Sequence, residues 1–301
     1  MAQPKIEPAP MADRVSAVVV NHEAGEALIT CVASLRAEGV AEVTVVDNAS
    51  SDRSTEALLG ADGDVRLVQT GSNLGYGAAA NRGIAVSRSE LVLVSNPDVA
   101  VHRGALAVLA DALGADPALA IVGPLILESD GRRYPSARRF PSLVDAAGHA
   151  LLGDIAPDNG FTRRYRMGDC DVDQRAEVDW VSGACFLARR RALEELGGFD
   201  ESYFMYAEDT DLCWRARRAG WGVAYVPEAV VTHRQGVSTA RRPYRMLVAH
   251  HRSVFHFAAR TQQGWRRLAL PATAVFLALR LGVMCARQAL AALRSGARPA
   301  E

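Results

Sequence analysis

The stretch VSAVVVNHEAGEALITCVASLRAEGVAEVTVVDNASSD, residues 15–52, decides how the chain folds. VSAVVV (15–20) is an almost unbroken apolar run, the pattern of a strand covered on both faces in a parallel sheet. The period then changes: Leu28, Cys31, Val32 and Leu35 fall on one side of a helix over 26–38. EVTVVD (42–47) is a second strand of the first kind. Outward from this unit the alternation continues. STEALLG (54–60) reads as a short helix closed by Gly60, VRLVQT (65–70) as a third strand, 78–87 as a helix and LVLVSN (91–96) as a fourth strand. Strands alternating with helices across short connections predict an α/β fold with a Rossmann-like, mostly parallel central sheet flanked by helices. In such sheets, ligands bind beyond the carboxyl ends of the strands.

Regularity fades between Glu128 and Asp179, a stretch with Pro135, Pro141, Pro157 and many arginines. That much irregular chain inside a compact domain has a use, and it is read as an acceptor-facing region. Helical and strand patterns resume over 180–200, 211–220 and 223–233. The boundaries expected are a flexible, Pro-rich tail over 1–13 without a signal peptide's apolar segment, a main domain over 14–240 and a basic helical region over 241–301.

The chain of 301 residues is 49% hydrophobic and 23% charged, ordinary globular composition with material for a real core. Its formal net charge is zero, so nothing points to nucleic acid. The charge is nonetheless uneven: 241–301 holds 11 arginines and one acid, Glu301, which leaves the rest of the chain acidic. Five scattered cysteines without a CxxC pair read as reduced thiols. LALPATAVFLAL (268–279) is 12 apolar-leaning residues before Arg280 interrupts, too few for a comfortable membrane span. An amphipathic helix in the membrane interface is expected there; a terminal helix packed on the domain with an exposed arginine face is the alternative.

Four clusters can carry chemistry. Asp47 and Asn48 follow the second strand, where an acid can accept hydrogen bonds from a pyrimidine or ribose; an Asx-turn is the structural alternative. NLGYGAAAN (73–81) can bring backbone amides and a helix N-terminus to a pyrophosphate. Gly75, Gly77 and Ala80 also match the dinucleotide fingerprint, but Gly71 to Leu74 separate them from the strand before, against that reading. SNPDV (95–99) offers an acid that can hold Mg²⁺ or Mn²⁺ against a diphosphate, with His233 as a second ligand; a Pro-Asp turn is the structural alternative. Glu208, Asp209 and Asp211 crowd the start of a helix behind Tyr203, Phe204 and Tyr206, more carboxylates than capping needs, and one can act as a general base.

In order along the chain, VVVNHE, VVDNASSD, NLGYGAAAN, SNPDV, SGACFLARRRALEELGGFDESYFMYAEDTDLCWR and THRQGVST resemble the motifs of the family-2 glycosyltransferases with the GT-A fold. The resemblance implies an inverting sugar transferase with a nucleotide-sugar-binding half (14–127) and an acceptor-binding, catalytic half (128–240). It places Asn21, Asp47, Asn48, Asn73, Gly75, Gly77 and Asn96 at the donor, Asp98 and His233 on the metal, and Asp209 as catalytic base. Trp180, Ser182, Gly183, Tyr206 and Glu208 fall at the acceptor. Asn96 stands where the family's D-x-D has its first acid, which puts metal affinity in doubt. GRRYPSARRFPSL, FTRRYR and FMYAEDTDL further resemble that family's actinobacterial rhamnosyltransferases of cell-wall linker assembly. This implies dTDP-L-rhamnose as donor and a polyprenyl-diphosphate-linked GlcNAc acceptor, at the cytoplasmic face of a bacterial inner membrane with peripheral contact. Arg132, Arg133, Arg138, Arg139, Arg163 and Arg164 suit an acceptor diphosphate. A transferase for another sugar or acceptor, a non-catalytic nucleotide-sugar binder and a nicotinamide oxidoreductase are the other readings.

Overall fold

The computed structural model describes residues 14–62, 64–153, 155–168, 172–234 and 243–295. The tail 1–13, Cys170, the 235–239 half of THRQGVST, Arg241, Arg242 and Glu301 lie outside the described residues.

The chain begins β1 (Val15–Asn21), α1 (Ala27–Ala37), β2 (Glu42–Asp47), α2 (Ser54–Ala61), β3 (Arg66–Gln69), α3 (Tyr76–Ile84) and β4 (Leu91–Ser95), the alternation expected. β5 (Val99–Val101), α4 (Ala105–Ala115) and β6 (Leu119–Leu127) follow. The stretch expected to be irregular carries β7 (Arg133–Tyr134), β8 (Ala137–Arg138), α5 (Leu143–Leu152), α6 (Gly160–Tyr165) and β9 (Ala176–Glu177). β10 (Trp180–Val181), β11 (Cys185–Arg189), α7 (Arg190–Leu196), α8 (Glu208–Arg218) and β12 (Gly222–His233) complete the domain, before α9 (Pro243–Thr261) and α10 (Leu270–Ser295).

The main sheet runs β3-β2-β1-β4-β11-β6-β12-β5. β1 is parallel to both β2 and β4, and β6 to β12, while β11 enters antiparallel between β4 and β6. Every residue of β1 and β4 is buried, as the apolar runs require. One face of the sheet packs on α1, α2 and α4 through Leu28, Leu58 and Leu109; the other packs on α3, α7 and α8 through Ile84, Leu193 and Leu212. At about 25 cal/mol per Å² of apolar surface, these two interfaces supply most of the drive to fold. α5 and α6 have local causes that an arginine-rich reading passes over. Ser142 Oγ accepts from the Asp145 amide at 3.0 Å and Asn159 Oδ1 from that of Thr162 at 3.0 Å, each closing a helix N-terminus.

The C-terminal region corrects an expectation. α10 is 26 residues, and 264–293 is long and apolar enough, at a mean hydropathy of 1.9 over its best window, to cross a membrane by length and composition. Arg280 does not end the apolar segment, because it is bound inside: it donates to Ala150 O at 3.3 Å and lies 3.2 Å from His251 Nε2.

Helix α3 sits close on the sheet because Gly83 has no side chain. A Cβ there would lie 2.3 Å from Val18 Cγ1 and 2.9 Å from Val46 Cγ2. Gly83→Ala is expected to destabilise the protein by about 1–3 kcal/mol through overpacking. Urea unfolding measures it, and an unchanged midpoint would refute this packing.

Candidate active site

A cleft of about 490 Å³ opens where β1, β2 and β4 end, and its lining includes His22, Asn48, Asn96, Asp98, Arg138, Trp180, Ser182, Gly183, Tyr206, Glu208, Asp209 and His233.

On the wall formed by the first half, Asn48 ties the strand ends to the loop beyond β3. Its side-chain amide donates to Asn73 Oδ1 at 3.1 Å and Gly75 O at 3.2 Å, and its Oδ1 accepts from Leu74 N at 2.9 Å. His22, which sequence reasoning left without a role, bridges Asn48 O and Asn73 Nδ2 at 3.1 Å each and lines the cleft. Asn21 and Asp47 lie behind this wall. Asn21 is fully buried and donates to Asp47, Ser50 and Ser54, so it holds the Asp47–Ser54 turn and does not reach the cleft.

The glycines of NLGYG also have a packing role. Gly75 has φ +91°, and a Cβ on it would lie 2.2 Å from Phe204 O; Tyr76 N donates to that same oxygen at 3.0 Å. A Cβ on Gly77 would lie 2.9 Å from Phe199 Cβ. Both glycines therefore admit the 199–207 segment. The amides of Leu74, Gly75 and Tyr76 are bound within the protein and do not reach for a pyrophosphate.

His233, also in the lining, ends β12, whose pairing with β5 sets it opposite Val99. Its Nε2 lies 3.0 Å from Asp98 Oδ1 and 3.2 Å from Asn96 Nδ2. Its Nδ1 is buried and without a hydrogen bond. Two ligands of one Mg²⁺ or Mn²⁺ at about 2.1 Å stand roughly 3 Å apart, so Asp98 Oδ1 and His233 Nε2 fit as a pair on one ion. Among the described residues no group of three or more His, Cys, Asp or Glu side chains joins them, as Asn96 in place of an acid dictates.

Asp209 stands at the N-terminus of α8. Its Oδ2 accepts from Gly183 N at 2.7 Å, and its Oδ1 from Thr210 N at 2.7 Å and Thr210 Oγ1 at 3.2 Å. Burial pushes its pKa up, against those donors and the nearby Arg138. Glu208 is buried with Oε2 unbonded, and burial plus the Asp209 charge raise it to about 8. More donors serve Asp209 than Glu208, and burial raises both carboxyls. Tyr206 and Ala207, just ahead, take left-handed φ of +70° and +63°, a strained elbow that the sequence did not announce.

The expected acceptor residues gather opposite the donor wall. Trp180 donates from its indole to Arg139 O at 3.2 Å, Ser182 is held through its amide by Ser136 O at 2.8 Å, and Gly183 O accepts from Tyr76 Oη at 2.6 Å. The structure thus brings Asn48, Asn73, Gly75, Asn96, Asp98, Trp180, Ser182, Gly183, Tyr206, Glu208, Asp209 and His233 to one cleft, and leaves Asn21, Asp47 and Gly77 behind its walls.

A strand-end cleft lined by an imidazole–carboxylate pair and by an aspartate at a helix N-terminus is the site of a nucleotide-sugar transferase of the GT-A fold. The chain belongs to glycosyltransferase-like family 2, whose family model matches residues 12–258. It is 41% identical over 273 residues, 86% of this chain and 89% of its relative, to N-acetylglucosaminyl-diphospho-decaprenol L-rhamnosyltransferase of Mycobacterium tuberculosis strain H37Rv. It is 28% identical to the low-salt glycan biosynthesis hexosyltransferase Agl10 of Haloferax volcanii, over 77% of this chain and 70% of that one. Among solved structures, the mannosyltransferase PcManGT of Pyrobaculum calidifontis, in complex with GDP-Man and Mn²⁺, superposes with a TM-score of 0.57 over 96% of this chain and 84% of its own, at 18% identity. The protein is a glycosyltransferase.

The raised pKa of Glu208 has a measurable sign. Its folded value lies above the ordinary 4.5, so its contribution to stability is complete below about 4.5 and is lost as pH rises through about 8. Glu208→Gln, neutral at every pH, is expected to match the wild type in melting temperature at pH 5 and exceed it at pH 9. Parallel melting curves across that range would place the proton elsewhere.

Proposed function

We propose that the enzyme transfers L-rhamnose from dTDP-L-rhamnose to a GlcNAc-diphospho-polyprenol, with inversion, in bacterial cell-wall linker assembly. The observation that supports the mechanism is that Asp209 and the Asp98–His233 pair line one cleft. The 41% identity to a rhamnosyltransferase supports the choice of sugar and acceptor.

Asp98 and His233 would hold Mg²⁺ or Mn²⁺, and that ion, when bound, supplies positive charge to offset the charge growing on the leaving diphosphate. The chain's own groups do the rest. Asn48, Asn73 and His22 shape the donor wall, and Asn96 carries no charge to repel a phosphate. Asp209 removes the proton from the acceptor hydroxyl, which attacks the anomeric carbon on the face away from the leaving dTDP. Gly183 N and Thr210 N fix that carboxylate's orientation and leave it lone pairs with which to take the hydroxyl's proton.

The C-terminal helix fits a lipid-linked acceptor. Leu268, Val275, Leu279, Val283, Leu290 and Leu293 are exposed and, at 3.6 residues per turn, lie within an arc of about 80°. Arg280 ties the helix to His251 on α9, and its exposed apolar stripe suits an interfacial helix at the cytoplasmic face of the membrane.

The test of the reaction incubates purified protein with dTDP-L-rhamnose, Mg²⁺ or Mn²⁺ and a GlcNAc-diphospho-lipid, and reads the product by mass spectrometry. A gain of one deoxyhexose, abolished by EDTA, is expected. Asp209→Asn is expected to lose at least about 10²–10⁴-fold in turnover while keeping its affinity for dTDP; near-normal turnover would remove Asp209 from the role of base. For the membrane contact, Leu279→Asp with Val283→Asp is expected to abolish flotation with anionic vesicles and leave transfer to a short-chain, soluble acceptor intact. Undiminished flotation would move the contact elsewhere.

A further inference from the structure

Six arginines between 132 and 164 suit an anionic acceptor by sequence, and the fold sorts them. Arg132 pairs with Glu128 and Asp130, Arg133 with Asp173, and Arg164 with Asp145, while Arg163 is exposed. Arg138 alone of the six lines the catalytic cleft.

Its setting is unusual for a cation. The guanidinium carbon lies 4.9 Å from the centre of the Trp180 ring and 5.4 Å from those of Tyr134 and Tyr165, a cage with three aromatic walls. Nε donates to Pro135 O at 2.8 Å, Nη1 to Tyr165 Oη at 3.1 Å and Nη2 to Tyr134 Oη at 2.8 Å. All three acceptors are neutral, and among the described residues no carboxylate forms an ion pair with it. Of the five N–H groups of a guanidinium, three are used to fix the plane and two remain. The Asp209 carboxylate acts on it only from beyond ion-pair distance, and a fixed planar fork with spare donors matches a phosphate geometrically.

We propose that Arg138 holds the diphosphate of the acceptor, its two free N–H groups bridging phosphate oxygens while the aromatic cage fixes the plane of the fork. This deepens the assignment of a lipid-diphosphate acceptor and rests on it. The placement favours the acceptor over the donor. The Trp180 ring lies over the guanidinium, Gly183 just beyond it in the chain gives its amide to Asp209, and the Asp209 charge bears on Arg138, whereas His22, Asn48 and Asn73 are bonded to one another, so a diphosphate on Arg138 belongs with the base rather than with the donor residues. Lysine at this position keeps the charge and loses the fork.

The test measures binding of a short-chain GlcNAc-diphospho-lipid, and of an octyl GlcNAc glycoside lacking the diphosphate, to full-length protein saturated with dTDP. Arg138→Lys is expected to weaken the diphosphate ligand about 10–100-fold and the octyl glycoside by less than about threefold, with dTDP affinity unchanged. Equal losses for both ligands would make Arg138 a structural staple of β8 against β10. A parallel loss of dTDP affinity would put it on the donor, and no loss, or no binding of the diphosphate ligand by the wild type, would also overturn the proposal. Rhamnose transfer in the same samples reads the broader assignment separately: binding by the wild type without transfer would sink that assignment and leave Arg138 on the diphosphate.

Discussion

Everything at the active site depends on β11 lying antiparallel between β4 and β6. Cys185 pairs with Ser95 and Leu187 with Val122, and Asn96 N donates to Ala184 O at 2.8 Å. Because this strand runs against its neighbours, its first residues arrive at the edge where β1, β2 and β4 finish. Ser182, Gly183 and Ala184 are thereby set beside Asn96 and Asp98, although nearly ninety positions separate them in the chain. Gly183 then joins three elements at once, giving its amide to Asp209 and taking the Tyr76 hydroxyl on its carbonyl. A slip of one residue in this register would turn Phe186 and Leu187 to the wrong faces, so the apolar layers on both sides fix the site's alignment.

Charge in the cleft is arranged by separation. The Asp209 carboxylate is bound by amides, Glu208 is buried with one oxygen unbonded, and the Arg138 guanidinium lies among aromatic faces. None is neutralised by an ion pair of its own. The ion pairs that do exist nearby sit behind the site, where Asp211 is held by Arg215 at 2.7 Å and by Arg260 at 3.1 Å. That buried set binds α8 to α9 and keeps the catalytic helix from shifting.

The fold's first half could be read from residues alone because its strands are buried on both faces and its helices keep a strict period. The motif residues also converge largely as their order suggested. What escaped the reading has specific causes. α5 and α6 are short and rely on Ser142 and Asn159 as caps, a signal that the surrounding prolines and arginines mask. Gly75 and Gly77 carry a phosphate-binding pattern, yet their freedom is used by Phe204 and Phe199, contacts made across more than a hundred residues. His22 follows a strand with no pattern to mark it. The arginines could not be ranked, since pairing with Asp130, Asp145 or Asp173 is decided by loops that only the fold brings together. Arg280 looked like the end of an apolar segment because a sequence does not say which way a side chain turns.

The two left-handed residues before α8 have a consequence for how this protein can change. Tyr206 and Ala207 hold the backbone in a conformation that glycine adopts freely and other residues resist, at about 1–3 kcal/mol each. Glycine at 207 would relieve that strain in the native state, and it would also give the unfolded chain more freedom and the elbow more room to move. The segment thus marks a trade between robustness and precision. Selection for heat tolerance alone has a route here that ends in a sturdier protein with a less exact base, while selection for turnover keeps the elbow.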